Sequence, residues 1–190
     1  LLMPASRSQE LRYILPTFLK TAKKLQLRYP NLVVYIPSCR TVFDKTFRKG
    51  LEKYGIQGKV ISQQDDSELM PYIYSLSKLA LCKSGTVNME LALHGIPQIV
   101  GYRVSRVTAF IAKKILNFKV RFISPVNLLL KKLIIPEFVQ QNFNEKKIFF
   151  KACRLLNTTS EKAKIKKGYA LLKKELGEEG VVERGTGCLG

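Results

Sequence analysis

The sequence lacks several things, and each absence narrows the reading. No unbroken apolar run reaches the roughly 18 residues a membrane-crossing helix requires. There is one histidine, and Cys39, Cys82, Cys153 and Cys188 form no C-x-x-C pair, which argues against a metal site. Cys82 sits in an apolar stretch, where a free thiol behaves as a small hydrophobe, and the cysteine usage suits a reducing compartment. No zinc-finger spacing and no RNA-binding aromatic signature is present. No Ser-His-Asp arrangement or carboxylate pair stands out, and there is no internal repeat or low-complexity linker. An initiator Met, a signal peptide and a transit segment are also missing. Because Leu1 and Leu2 already read as a buried strand, we expect the C-terminal part of something larger, or a piece cut at a domain boundary.

Negative charge is scarce. Lys and Arg number 33 against 14 Asp and Glu, a formal net charge of +19. Such an excess favours polyanions, whether phosphorylated substrates, anionic lipid headgroups or nucleic acid, and it is also what a solvated Lys-rich surface looks like. The clusters fall on amphipathic helices, which favours a membrane surface or phosphates over a nucleic-acid groove. Hydrophobic residues make up 46% of the 190 residues, enough for a sizeable core.

Strands and helices alternate along the chain. Leu1 to Pro4 reads as a strand end, Ala5 to Ser8 as a turn, and Gln9 to Arg28 as a long amphipathic helix that Pro16 should kink or break. Leu32 to Ile36 is a second strand. Thr41 to Tyr54 is helical with Val42, Phe43, Phe47 and Leu51 inward, and Gly55 is its C-cap. Val60-Ile61 belongs to a third strand, and Asp65-Asp66-Ser67 caps a helix from Glu68 to Ser77. Leu79 to Cys82 is a fourth strand, Thr86 to His94 a helix and Gln98 to Gly101 a fifth strand. A basic amphipathic helix follows from Val104 to Asn117. Phe122 to Leu130 holds an SPVN turn, and Glu145 to Leu156 and Glu161 to Leu176 are the last helices. Alternation of this kind predicts a doubly wound parallel sheet covered on both faces, occupying residues 1–176, with a glycine-rich flexible tail over 177–190.

In such sheets ligands bind outside the C-terminal ends of the strands. Two small-residue turns lie at such ends. Ser6 and Arg7 follow the first strand; a hydroxyl, turn N–H groups and a guanidinium suit a diphosphate, and a plain helix cap with a surface Arg suits the same residues. Ser84, Gly85 and Thr86 follow the fourth strand, where Gly85 permits close backbone approach and the hydroxyls add donors. Glu90, four residues after Thr86, shares that helix face and is placed to accept ribose hydroxyls; alone it would read as a surface acid. Arg103 follows the fifth strand at the same rim. His94 caps or packs at its helix end, and the role of Pro125-Val126-Asn127 stays open.

Three segments carry a resemblance: LMPASR at Leu2 to Arg7, KSGTVNMELALHGIPQIVGYR at Lys83 to Arg103, and ISPVNLLL at Ile123 to Leu130. Together they resemble the C-terminal half of the lipid-A-disaccharide synthase family, inverting glycosyltransferases of the GT-B fold. The resemblance implies a Rossmann-like domain that holds a UDP-sugar donor, with Ser6, Arg7, Ser84, Gly85 and Thr86 at the diphosphate and Glu90 at the ribose. It implies UDP-2,3-diacylglucosamine as donor, 2,3-diacylglucosamine 1-phosphate as acceptor and lipid A disaccharide 1-phosphate as product, with no metal and no cofactor. It places the catalytic base in an N-terminal half outside this chain, so that this chain alone is expected to be inactive. It also implies peripheral attachment to an anionic membrane on its cytoplasmic side, or a mitochondrial location in a plant or other eukaryote. No nucleic acid is expected, and a homo-oligomer is left open. The rivals are another UDP-sugar GT-B enzyme, such as a UDP-N-acetylglucosamine epimerase or transferase, and a non-catalytic basic domain that binds membrane or nucleic acid.

Overall fold

The computed structural model describes residues 1–4, 7–38, 40–62, 69–105 and 121–177. Strand β1 (Leu2–Met3) is followed by helix α1 (Ser8–Arg28), β2 (Val34–Ser38), a 3-10 turn (Thr41–Phe43), α2 (Asp44–Lys53), β3 (Gly58–Ser62), α3 (Leu69–Leu76), β4 (Ala80–Lys83), α4 (Val87–Leu93) and β5 (Gln98–Tyr102). After residue 120 come α5 (Pro125–Leu130), β6 (Glu137–Val139), a second 3-10 turn (Gln140–Asn142), α6 (Glu145–Asn157) and α7 (Thr159–Leu176).

Every strand pairing is parallel. β1, β4, β5 and β6 are hydrogen-bonded in that order, β2 pairs with β3, and β2 lies alongside β1. Across the molecule the order is β3-β2-β1-β4-β5-β6, so the winding reverses between β1 and β4. Right-handed crossovers running outward in both directions put α1 and α2 on one face and α4 on the other. α6 packs on α1, and just before α6 the Phe143 ring meets Phe18 of α1 edge to face at 5.3 Å. α7 joins α4 and α5. The expected α/β doubly wound parallel sheet, of Rossmann-like type, is the observed fold.

The core forms from both faces of the sheet, with Ile36, Ala80, Cys82, Ile99 and Val100 fully enclosed. Burial pushes the Cys82 thiol up to about 12, so it stays protonated and packs as a hydrophobe. Gly101 is fixed by packing: a Cβ there would run into the rings of Phe143 and Phe18. Gly55 takes φ +55 just after α2, the left-handed conformation that ends helices.

Some sequence expectations are corrected. Val42 is 65% exposed, because residues 41–43 form a 3-10 turn and only Phe43 of that turn points inward. α1 runs through Pro16 without a break. The sixth strand is not apparent in the sequence; β6 is only 3 residues long and half-buried throughout. The Asp65-Asp66-Ser67 cap, residues 106–117 of the basic helix and residues 178–190 of the tail lie outside the described residues, as do Ser6, Cys39 and Cys188. Val104 and Ser105 are described and take no helical conformation.

Candidate functional site

The reversal of winding leaves a notch between the C-terminal ends of β1 and β4, the usual ligand position in such a sheet. β1 and β4 are in register from Leu2 with Leu81 to Met3 with Cys82. Lys83, the last residue of β4, reaches back to Glu10 in the first turn of α1 at 2.6 Å. That half-buried ion pair ties the start of α1 to the end of β4. Neither Lys83 nor Glu10 is singled out by the sequence, because their pairing spans 73 positions.

The turn after β4 is latched from beneath. Asn88, fully buried on α4, accepts from the Gly85 N–H at 2.9 Å and donates to the Lys83 carbonyl at 3.2 Å. It also donates to Gln98 Oε1 at 3.0 Å, and Gln98 Nε2 donates to the Asn88 carbonyl at 2.9 Å. Gln98 and Tyr169 then link the cluster to the Ile96 carbonyl on the approach to β5. Burial raises the Tyr169 phenol, which stays neutral and can donate that bond. A signal for Asn88 exists in the sequence. It recurs with Leu91 and Ala92 at steps of three and four, so a polar residue stands on the apolar stripe of its helix.

The same turn is braced from the side. Ser84 Oγ donates to the Ile123 carbonyl. Ile123 in turn is held by Glu137 of β6, whose carboxylate accepts from the N–H of Ile123 at 2.8 Å, the N–H and hydroxyl of Ser124 at 2.9 and 2.6 Å, and Asn127 Nδ2 at 2.7 Å. Ser124 is the N-cap of α5, with Pro125 opening the helix. Asn127 Oδ1 accepts from the N–H groups of Ile134 and Ile135 at 2.8 and 3.0 Å. The SPVN segment is therefore a folded knot that positions Ser84.

These bonds sort the predicted residues. The hydroxyl proton of Ser84 and the N–H of Gly85 are engaged within the protein. The exposed Thr86 hydroxyl and the N–H groups of Thr86 and Val87 take no hydrogen bond among the described residues. A Cβ on Gly85 would meet nothing within 4 Å. Its backbone faces open space, so neither packing nor backbone conformation demands glycine there. Glu90 is half-buried on α4, and Tyr74 of α3 donates its hydroxyl to Glu90 Oε1 at 2.8 Å. The Tyr74 ring lies against His94 at a tilt of 46° with centroids 4.7 Å apart, so His94 packs. Tyr74 escapes the sequence reading because it comes from a different helix than the acid it orients.

Arg7 and Arg103 are exposed, just past β1 and β5. Lys83 pairs with Gly101 across β4 and β5, which sets Arg103 two residues beyond the end of β4, level with the turn that follows it. The strand ends thus bring Arg7, Ser84, Gly85, Thr86 and Arg103 to one rim, with Glu90 one turn into α4. An apolar cavity of about 300 Å³ adjoins it, lined by Ser84, Tyr102, Phe122, Ile123 and Leu128. Among the described residues no cluster of His, Cys, Asp and Glu is arranged to hold a metal ion.

A family model described as lipid-A-disaccharide synthetase matches residues 1–186. Proteins named lipid-A-disaccharide synthase are similar to the chain. That of Prochlorococcus marinus is 46% identical over 184 residues, covering 97% of this chain and 47% of the relative. Those of Gloeothece citriformis and Synechocystis are each 37% identical over 183 residues, covering 96% of this chain and 46% and 45% of the relatives. The chain spans about half the length of these curated relatives. The notch, its two turns and the acid behind them thus lie in a chain that belongs to the lipid-A-disaccharide synthetase family.

Proposed function

We propose that this chain is the donor-binding half of an inverting glycosyltransferase that joins UDP-2,3-diacylglucosamine to 2,3-diacylglucosamine 1-phosphate, giving lipid A disaccharide 1-phosphate and UDP. The open space at Gly85 carries the reading: a glycine that the fold itself does not need stands where two strand ends and two arginines converge. The donor diphosphate lies against the Thr86 hydroxyl and the N–H groups that open α4, with Arg7 and Arg103 offsetting its charge and Ser6 joining from the first turn. Ser84 supports this turn through the Ile123 carbonyl. Glu90, held in one rotamer by Tyr74, accepts the ribose hydroxyls. In the transfer an acceptor hydroxyl attacks the anomeric carbon, the bond from that carbon to the diphosphate oxygen breaks, and UDP leaves. The attacking oxygen gives its proton to a base in the other half of the enzyme. Cations at the rim favour the charge that grows on the departing diphosphate. Acylated substrates imply work at the cytoplasmic surface of a membrane, or in a mitochondrion.

Calorimetric titration with UDP tests the site. The chain is expected to bind UDP and to show no transfer alone. Gly85→Ala should leave the thermal midpoint unchanged and weaken UDP about tenfold, by filling the space the ligand occupies. Glu90→Ala should weaken UDP similarly and spare inorganic pyrophosphate, which has no ribose. A Gly85→Ala chain that binds UDP normally would sink the assignment.

A further inference from the structure

The corner from α5 to β6 presents Leu128, Leu129 and Leu133 at 50%, 49% and 68% exposure. Lys131 and Lys132 are exposed among them, and Arg121 lies close in sequence with its guanidinium 5.3 Å from the centre of the Phe122 ring. From Arg121 to Pro136 there is no acidic residue. The first to follow, Glu137, turns its carboxylate inward to the knot described above. Aliphatic side chains interleaved with cations, free of acids, have the composition of a contact with an anionic bilayer interface.

We infer that this corner, Leu128 to Leu133, is the surface by which the chain docks on an anionic membrane. The backbone supports immersion. Lys131 N–H donates to the Leu128 carbonyl, Lys132 N–H to the Asn127 carbonyl and Ile134 N–H to the Lys132 carbonyl, so three of the turn's N–H groups find partners within it. Lys131 takes φ 50, which closes the turn tightly and sets leucines on both sides of it. The Asn127 and Glu137 bonds hold the corner rigid, so little order is lost on docking. Leu128 belongs to both the corner and the apolar cavity, whose wall also includes Ser84. The corner and the donor turn thus border the same cavity, which an acyl chain from the bilayer would enter. Only this last step rests on the proposed function; docking itself does not.

Co-sedimentation of the chain with vesicles tests the inference. It should bind phosphatidylcholine vesicles containing phosphatidylglycerol, bind phosphatidylcholine alone poorly, and release as salt rises. L129S/L133S should lower partitioning about tenfold, as expected for removing two buried aliphatic chains. K131Q/K132Q should lower it less and flatten the salt dependence. Leu27→Ser, at an exposed leucine on α1, should leave it unchanged. Circular dichroism and UDP titration confirm that the variants fold. Unaltered vesicle binding by L129S/L133S overturns the proposal. So does a concentration-dependent dimer, seen by ultracentrifugation, that the same pair abolishes, since that gives the corner to a second copy. Corner-dependent vesicle binding without UDP binding would sink the donor site and leave this surface standing.

Discussion

Two polar clusters hold the β4 turn, and they are built in opposite ways. The Asn88 cluster beneath it is neutral and fully buried, with Asn88, Gln98 and Tyr169 satisfying one another and the backbone. The Glu137 cluster beside it is centred on an ionic group, and four donors converge on that one half-buried carboxylate. The neutral cluster joins α4 to the sheet and to α7. The ionic one ties a loop and a strand to Ser84. A neutral network can sit at the centre of the core because no charge is desolvated; an ionic one needs the sheet edge, where desolvation is partial. The turn is thus fixed on the sides facing protein and left open beside Gly85 and at Thr86 and the Val87 N–H.

The comparison is open to breaking. Glu137→Gln should have the largest effect. The amide replaces an acceptor-only group with one that must point N–H at N–H, and charge-assisted bonds are each worth about 1.5–3 kcal/mol. Urea unfolding should lose about that much, and UDP binding should fall because Ser84 loses its brace. An unchanged denaturation midpoint would mean that the knot holds without its charge. Asn88→Ala should cost about 1–3 kcal/mol, the penalty for leaving the Gly85 N–H without its acceptor and for taking a donor from Gln98 Oε1 and the Lys83 carbonyl. That loss should be the same at neutral and acid pH, since nothing in the cluster titrates in between; a pH-dependent loss would contradict its neutrality. The smallest effect lies at the α6–α7 junction. Lys151 hydrogen-bonds Glu161, partial burial opposes it, and Arg154 adds attraction, so the Glu161 carboxyl sits below its usual range. A depressed carboxyl contributes stability that is complete above its unfolded pKa and lost as pH falls through the folded value. Wild type should lose more stability than Glu161→Gln on acidification below the ordinary glutamate range, as followed by denaturation midpoints at stepped pH.

The two clusters also show what can be read from sequence. Alternating apolar strands and 3.6-period helices made β1 to β5 legible, because each buries a face that its own pattern announces. β6 is not legible, since a three-residue half-buried strand has no period to detect. At the site, Ser84, Gly85, Thr86 and Glu90 are readable because turn and helix face are local. The partners that decide their roles are not: Tyr74 on Glu90, Glu137 on Ile123 and Lys83 on Glu10 come from separate elements. The SPVN segment shows the limit most clearly, since its residues are visible as a turn but their work depends on an acid ten or more positions away.

By itself the sequence determined the α/β alternation, the strongly basic character and the small-residue turns at strand ends, because these follow from local spacing and composition. Only the tertiary structure decided which polar groups at those turns are already engaged. Ser84 and Gly85 are bonded inward, while Thr86 and the space beside Gly85 remain open. A hydrogen bond is a property of two positions brought together, and no single position carries it.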